Sequence, residues 1–230
     1  MNINEIYKIV TYLVDKYQGT YLSPDDFNMV INMAQRQYLN YMTEDGSGHM
    51  GMRLGRKSGT LITTPVVESL AIFMKEATLT VTSQIATQPS DLYATVSVRT
   101  ANDLKGIRRV TEDKISEVLS DPIDPPTITD PVYTELGNTY KVFPNTVTSI
   151  KIGYVKLPNT MVWAYKIVGG QPVYQETADP AAIPTTGSVQ PEWNEKDIED
   201  IIYRAIAIIG INLKDGDLQR AAQIVKTQGE

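Results

Sequence analysis

Residues 193–228 read WNEKDIEDIIYRAIAIIGINLKDGDLQRAAQIVKTQ, and the fold turns on this stretch. Asn194, with Asp197 three residues later, is a helix-start pair. The Asn side chain can take an orphan amide, and the acid suits the positive end of the helix. Ile198, Ile201, Ile202, Ala205, Ile208 and Ile209 recur at three- and four-residue spacing, an apolar stripe on one helix face. The helix is expected to give out around Gly210. The turn Lys214-Asp215-Gly216 then leads into a second helix carrying Leu218, Ala221, Ala222 and Val225. So short a turn predicts an antiparallel hairpin, and a hairpin with one apolar face needs a partner.

The partner is read at the other end of the chain. Ile3, Ile6, Val10, Leu13, Val14 and Tyr17 form a helical stripe that Gly19 ends. Ser23-Pro24-Asp25-Asp26 opens the next helix with a cap, a proline in the first turn and acids at the positive end. Phe27, Val30, Ile31, Ala34, Tyr38 and Tyr41 continue its period. Packed together, the two hairpins predict a four-helix bundle holding both chain ends.

The middle of the chain changes period. Ala77, Leu79 and Val81 alternate with threonines, as do Leu92, Ala94, Val96 and Val98 with polar neighbours. Between them Gln88-Pro89-Ser90-Asp91 is a turn. Thr111 is expected to cap a short helix with Ile115, Val118 and Leu119. Residues 121–131, DPIDPPTITDP, are held extended by proline. Val132–Leu136 and Thr139–Phe143 flank Gly137-Asn138 as a hairpin, and Val162–Val168 and Gln171–Gln175 flank Gly169-Gly170 as another. Ile150, Ile152 and Tyr154 form a strand between them, for about six or seven strands in all. The expected fold class is α+β: a discontinuous helical bundle of residues 1–60 and 192–230, with an antiparallel sandwich- or barrel-like domain and its linker, 61–191, inserted into it.

Composition narrows the function. The 230 residues carry a net charge of −6, which disfavours general binding to duplex phosphate. There is no cysteine, so no disulfide framework and no thiolate chemistry. No apolar run approaches the ~18–20 residues of a membrane span, and MNINEIYKIV lacks the pattern of a signal peptide. Residues 44–60, EDGSGHMGMRLGRKSGT, form a glycine-rich loop with the most basic short patch in the chain, Arg53, Arg56 and Lys57. Gly51–Ser58 is not a P-loop, because Arg56 stands where glycine must precede the Lys-Ser pair. The sole histidine, His49, lies in that loop, where a catalytic base would be hard to hold in register. Asp25-Asp26 and Asp197-Glu199-Asp200 sit at helix starts, where acids suit the dipole without any metal. Catalytic residues, metal ligands and cofactors are accordingly expected to be none. Trp163, Tyr165 and Tyr174 read either as cross-strand packing or as a platform for sugar or a partner. A basic arm at Arg53, Arg56 and Lys57 meeting the acidic face of a neighbouring copy would be a head-to-tail contact.

An ordered set of short features resembles one family. Leu70-Ala71-Ile72-Phe73 precedes the strands, followed by Pro89-Ser90-Asp91-Leu92-Tyr93, Pro131-Val132-Tyr133, and Tyr140-Lys141-Val142-Phe143-Pro144. Next come Tyr154-Val155-Lys156-Leu157-Pro158 with Trp163 after it, then Gly210-Ile211-Asn212-Leu213 and Asp217-Leu218. In this order the chain resembles the head–tail adaptor, or neck and tail-tubular ring, proteins of short-tailed phages, and is most similar to the ring proteins of crAss-like phages. The resemblance implies a non-enzymatic virion protein, assembled in the bacterial cytoplasm into a ring of about twelve copies. It implies the portal and other neck or tail rings as partners, with DNA passing through the lumen without specific binding, and no membrane. The residues expected at subunit or partner contacts are Arg53, Arg56, Lys57, Ile198, Ile202 and Trp163. The alternatives are a carbohydrate- or receptor-binding β module on a helical stalk, and a hydrolase built from scattered carboxylates.

Overall fold

The first helix starts on a reciprocal cap. Asn2 Oδ1 accepts the Glu5 N–H and Glu5 Oε2 accepts the Asn2 N–H, both at 2.9 Å, so two donors beyond the reach of helical carbonyls are satisfied. In the computed structural model, which describes residues 1–18, 21–43, 70–102 and 105–212, this helix, α1, spans Ile3–Gln18. α2, Pro24–Thr43, opens similarly: Ser23 Oγ accepts the Asp26 N–H at 3.1 Å and donates to Asp26 Oδ2 at 2.6 Å. α3 is the short Ile115–Leu119, and α4 spans Glu195–Asn212. The chain is mixed α+β, with these four helices and several sheets among the described residues, antiparallel except for one parallel pair at a sheet edge; no sheet there closes into a barrel. No helix among those residues is long and apolar enough to cross a membrane.

The chain divides into two compact units. Among the described residues the first holds 1–18, 21–43, 70–72 and 158–212, and the second holds 73–102 and 105–157. In the first, α4 packs against α2 and α1. Ile3, Ile6, Val10 and Val14 of α1 are buried, as are Phe27, Val30, Ile31, Ala34 and Tyr38 of α2 and Ile198, Ile201, Ile202, Ala205 and Ile209 of α4. These are the stripes the spacing predicts, except that Tyr41 is 49% exposed and Leu39 is buried in the α2 stripe. α4 runs through Gly210 to Asn212. A helical glycine costs about 1 kcal/mol relative to alanine, and here it falls within two residues of the helix end. The second C-terminal helix and the loop 44–60 lie outside the described residues. β8, Tyr165–Val168, and β9, Gln171–Tyr174, belong to this unit, not to the second, which closes at Leu157. Gly169 and Gly170 take φ of +59° and +83°, which their two-residue turn needs and side chains resist.

The second unit is built on two sheets. β7, Ser149–Lys156, lies between β1, Met74–Thr80, and β3, Leu92–Thr100, antiparallel to both. The other sheet runs β2, Ile85–Thr87; β6, Thr139–Phe143; β5, Val132–Leu136; β4, Arg108–Arg109. One cluster of buried side chains draws on both: Val98, Ile150, Ile152 and Tyr154 from the first, Ala86, Tyr133, Tyr140 and Val142 from the second. β3 departs from simple alternation. Its register against β7 shifts between Leu92 and Ala94 and again between Thr95 and Ser97, so Thr95 and Val98 oppose Tyr154 and Ile152. Thr95 Oγ1 there meets the Tyr140 hydroxyl at 2.6 Å. β2 follows β1 through Ser83 and Gln84, both at positive φ, with no glycine to announce the turn. α3 begins after Lys114 with no side-chain cap; Thr111 bonds to Asp113 instead.

Two side-chain ties cross the first sheet. Arg99 on β3 reaches Glu76 on β1 across the central strand. The residue beneath is Gly153, where a Cβ would lie 2.8 Å from Ser97 Oγ and 4.0 Å from Arg99 Nη2. Asp91, in the turn before β3, accepts from Lys75 of β1 at 2.9 Å and from the Tyr154 hydroxyl of β7 at 3.0 Å. The Lys75 hydrogen bond, and after it that of Tyr154, hold the Asp91 carboxyl below the usual carboxylate range. A depressed folded-state pKa contributes stability that is present above the unfolded value and lost as pH falls through the folded one. Asp91→Asn should therefore weaken the second unit near neutral pH, by less than about 1 kcal/mol for so exposed a pair, and flatten its acid-side decline. Hydrogen exchange of the β7 amides as a function of pH measures both effects.

Candidate functional site

The best-organised polar constellation among the described residues surrounds residues 159–165. This segment is extended, and on one side it pairs with a returning stretch. Val162 and Val189 exchange backbone hydrogen bonds at 3.2 and 2.8 Å, and Tyr165 and Ile183 do so at 3.1 and 2.7 Å. On the other side three amides of α2 line up against it. Asn28 accepts the Trp163 N–H at 2.7 Å and donates to its carbonyl at 3.2 Å; Asn32 does the same for Met161 at 2.9 and 2.7 Å. Gln35 donates to the Asn159 carbonyl at 3.0 Å. Helical spacing of 28, 32 and 35 puts these amides on one face, and strand periodicity presents residues 159, 161 and 163 to them.

The same geometry takes the Trp163 ring inside. Its indole stacks on Tyr7 with centroids 3.9 Å apart and planes at 17°, and its Nε1 donates to Asn4 Oδ1 at 3.1 Å. Tyr165 and Tyr174 follow at 5.9 Å each, and Phe27 meets Tyr7 edge-on. Trp163 is 3% exposed, so the aromatic group is packing and not an open platform.

Beside Tyr174 lies a cleft of about 610 Å³ where the first turns of α1 and α4 meet. Its polar groups hold the chain together. Gln190 accepts the Ile3 N–H at 2.9 Å and donates to the Tyr174 hydroxyl at 3.1 Å, and Glu5 completes the α1 cap. Glu195 accepts from the Met1 ammonium at 2.8 Å, which holds its carboxyl below the usual range. An acid so held is ionised at neutral pH and is not a proton donor. The lining residues include no Ser, Thr, Cys, His or Lys. The cleft offers acceptors to a hydroxyl or ammonium group, and the carboxylates among its walls are Glu5, Glu176 and Glu195.

A second cluster joins α2 to α4. The buried Tyr38 hydroxyl donates to Asp197 Oδ1 at 2.8 Å, and Arg204 lies over the Tyr38 and Tyr41 rings at 5.5 and 4.8 Å. Burial, then the Asp197 hydrogen bond, pushes the Tyr38 pKa up; burial also raises Asp200, against the pull of Arg204. Ile198 and Ile202 lie on this helix at 2% and 4% exposure. With Trp163, they are contact residues of the chain with itself, because the apolar stripe faces inward. Arg53, Arg56, Lys57 and His49 lie outside the described residues. Among the described residues no group of three or more His, Cys, Asp or Glu side chains is placed to hold a metal ion. The amide row was legible as residues but not as a site: Asn28, Asn32 and Gln35 interrupt the polar face of α2 at helical spacing, and only the segment they hold gives that spacing meaning.

No protein-family model matches the chain, and comparison with curated proteins finds no match.

Asn32→Leu strips both partners from the Met161 backbone and should destabilise the first unit by about 2–4 kcal/mol, two unmet buried groups at the usual cost. Asn32→Asp keeps an acceptor for the N–H, loses the donor to the carbonyl, and should fall between. Both tryptophans lie in this unit, so urea unfolding followed by their fluorescence reads it selectively.

Proposed function

We propose that this chain is a non-enzymatic structural protein of a phage virion, forming a ring of about twelve copies in the neck or tail around the DNA channel. One observation carries the reading. Helices from the N-terminal and C-terminal parts of the chain share a unit, and residues 73–157 between them form a β unit of their own. That is the organisation expected of the ring proteins the sequence resembles. In this reading the C-terminal residues 213–230 add the second helix of a hairpin and complete a four-helix bundle, and the two sheets of the β unit face each other as a sandwich. The bundle supplies contacts between copies, and the β unit docks on the portal or on neighbouring rings. A net charge of −6 suits a channel wall, since a like-charged surface does not retain the passing duplex.

The assignment of the cleft's polar groups supports the same reading: Glu5, Gln190 and Glu195 each hold chain to chain. The alternative, a carbohydrate- or receptor-binding module, draws on the cleft beside Tyr174 and no longer on Trp163. It requires glycan binding that Tyr174→Ala abolishes.

Quantitative mass spectrometry of purified particles, scaled to the portal protein, tests the proposal. A fixed stoichiometry of about one or two copies per portal subunit is expected. Abundance in the infected cell with absence from the particle would remove the structural reading.

A further inference from the structure

An outermost strand presents unpaired N–H and C=O groups to any strand that approaches, and folds ordinarily blunt such edges. Most edges among the described residues are blunted. β2 and β4 are three and two residues long. β3 carries two register shifts, and on its far side Val98 accepts the Ile107 N–H at 2.8 Å and Thr100 donates to the Lys105 carbonyl at 2.9 Å. Pro172 stands in β9. β1 has none of these devices. It runs seven residues, Met74–Thr80, in unbroken register with β7, and contains no proline. Its charged residues, which would guard the edge, are engaged across the sheet, Lys75 with Asp91 and Glu76 with Arg99.

The hydrogen bonds at its two ends set which way each residue of β1 faces. Phe73 accepts the Lys156 N–H, and Val81 donates to the Thr148 carbonyl, both at 2.8 Å. Bonded residues alternate along an antiparallel ladder, so Lys75, Ala77 and Leu79 bond to β7, while Met74, Glu76, Thr78 and Thr80 turn their backbone groups outward. The side chains of those outward residues are exposed. Among the described residues no strand pairs with this edge. Beyond Thr80 the edge closes, because the Thr82 N–H donates to the Ile85 carbonyl at 2.9 Å.

Such an array accepts an extended strand, and an unguarded edge meets its like on every other copy. We propose that two copies of this chain pair through β1, antiparallel across a two-fold axis, so that their three-stranded sheets run into one another. Exclusion selects the register. Centred on Lys75 or Glu76, the pairing sets like charges opposite each other. Centred on Thr78, it sets Met74 against Thr82 of the second copy, whose N–H is already taken. Centred on Ala77, it sets Glu76 against Thr78 and Met74 against Thr80, and every outward group finds a partner. The contact is isologous and closes as a dimer, so it goes beyond the ring reading above and does not depend on it.

Sedimentation velocity of the full chain over a concentration series should show a monomer–dimer equilibrium. Hydrogen exchange at the Glu76 and Thr78 amides should slow as concentration rises, with the β7 amides unchanged. Thr78→Pro removes an outward N–H that β7 does not use, and should weaken the dimer about tenfold or more, since symmetry loses each bond twice. Thr78→Glu should weaken it as well, by facing Glu76 of the second copy, whereas Thr78→Lys should preserve or tighten it. The chain has no cysteine, so Ala77→Cys should give a disulfide-linked dimer on mild oxidation, and Thr80→Cys should not. A chain that stays monomeric at every concentration would overturn the proposal. So would a dimer that Thr78→Pro leaves as stable as before, or one that Thr78→Glu and Thr78→Lys affect alike. Should Thr78→Pro disturb the β7 amides, the Glu and Lys substitutions decide the matter. Particle stoichiometry is a separate readout, so failure of the virion role and failure of this contact are distinguishable.

Discussion

A buried backbone without a neighbouring strand must still find donors and acceptors. That constraint governs the first unit. Residues 159–163 have a partner on one side only, and α2 supplies the other from Asn28, Asn32 and Gln35. Because primary amides both donate and accept, one side chain can serve the N–H and the C=O of the same residue. The row fixes the segment against the helix, and the segment in turn places Trp163 on Tyr7. The first turn of α1 is held from the far side of the same arrangement, through Asn4 on the indole and Gln190 on the Ile3 amide.

These dependencies explain why the residues that look most suited to a partner are spent inside. An isolated helix stripe such as Ile198 and Ile202 has to be covered, and the copy's own α1 and α2 are always at hand, at an effective concentration no separate subunit matches. The tryptophan follows the same logic: its large face and single donor are both satisfied within the unit. The large apolar side chains left outward lie on the far faces of helices and strands as well as on turns, among them Tyr12, Met29, Ile167 and Ile123.

Much of the fold was legible in the sequence, and the failures have physical causes. The helical stripes of α1, α2 and α4 are long enough for periodicity to average over exceptions, and Gly137-Asn138 and Gly169-Gly170 mark hairpins because positive φ favours glycine. β2 and β4 were not legible. The first follows a turn made by Ser83 and Gln84, and the second is two residues long, too short to show a period. β3 misled because register shifts change which residues face inward without changing the composition. Of the candidate site, the aromatic residues were identifiable but their exposure was not, since burial of Trp163 is decided by α1, more than 140 residues away in the chain.

Gly153 looks like a weak point, a residue of poor strand propensity in the middle of a central strand. Its effect is on cooperativity. Arg99 passes over it to Glu76, so β1 and β3, which share no backbone hydrogen bonds, share a side-chain contact. Peeling the outer strand from β7 then breaks a contact with the strand on the opposite edge. Through that pair the opening of one edge strand costs a contact to the other, a coupling limited to the less than about 1 kcal/mol of so exposed an ion pair.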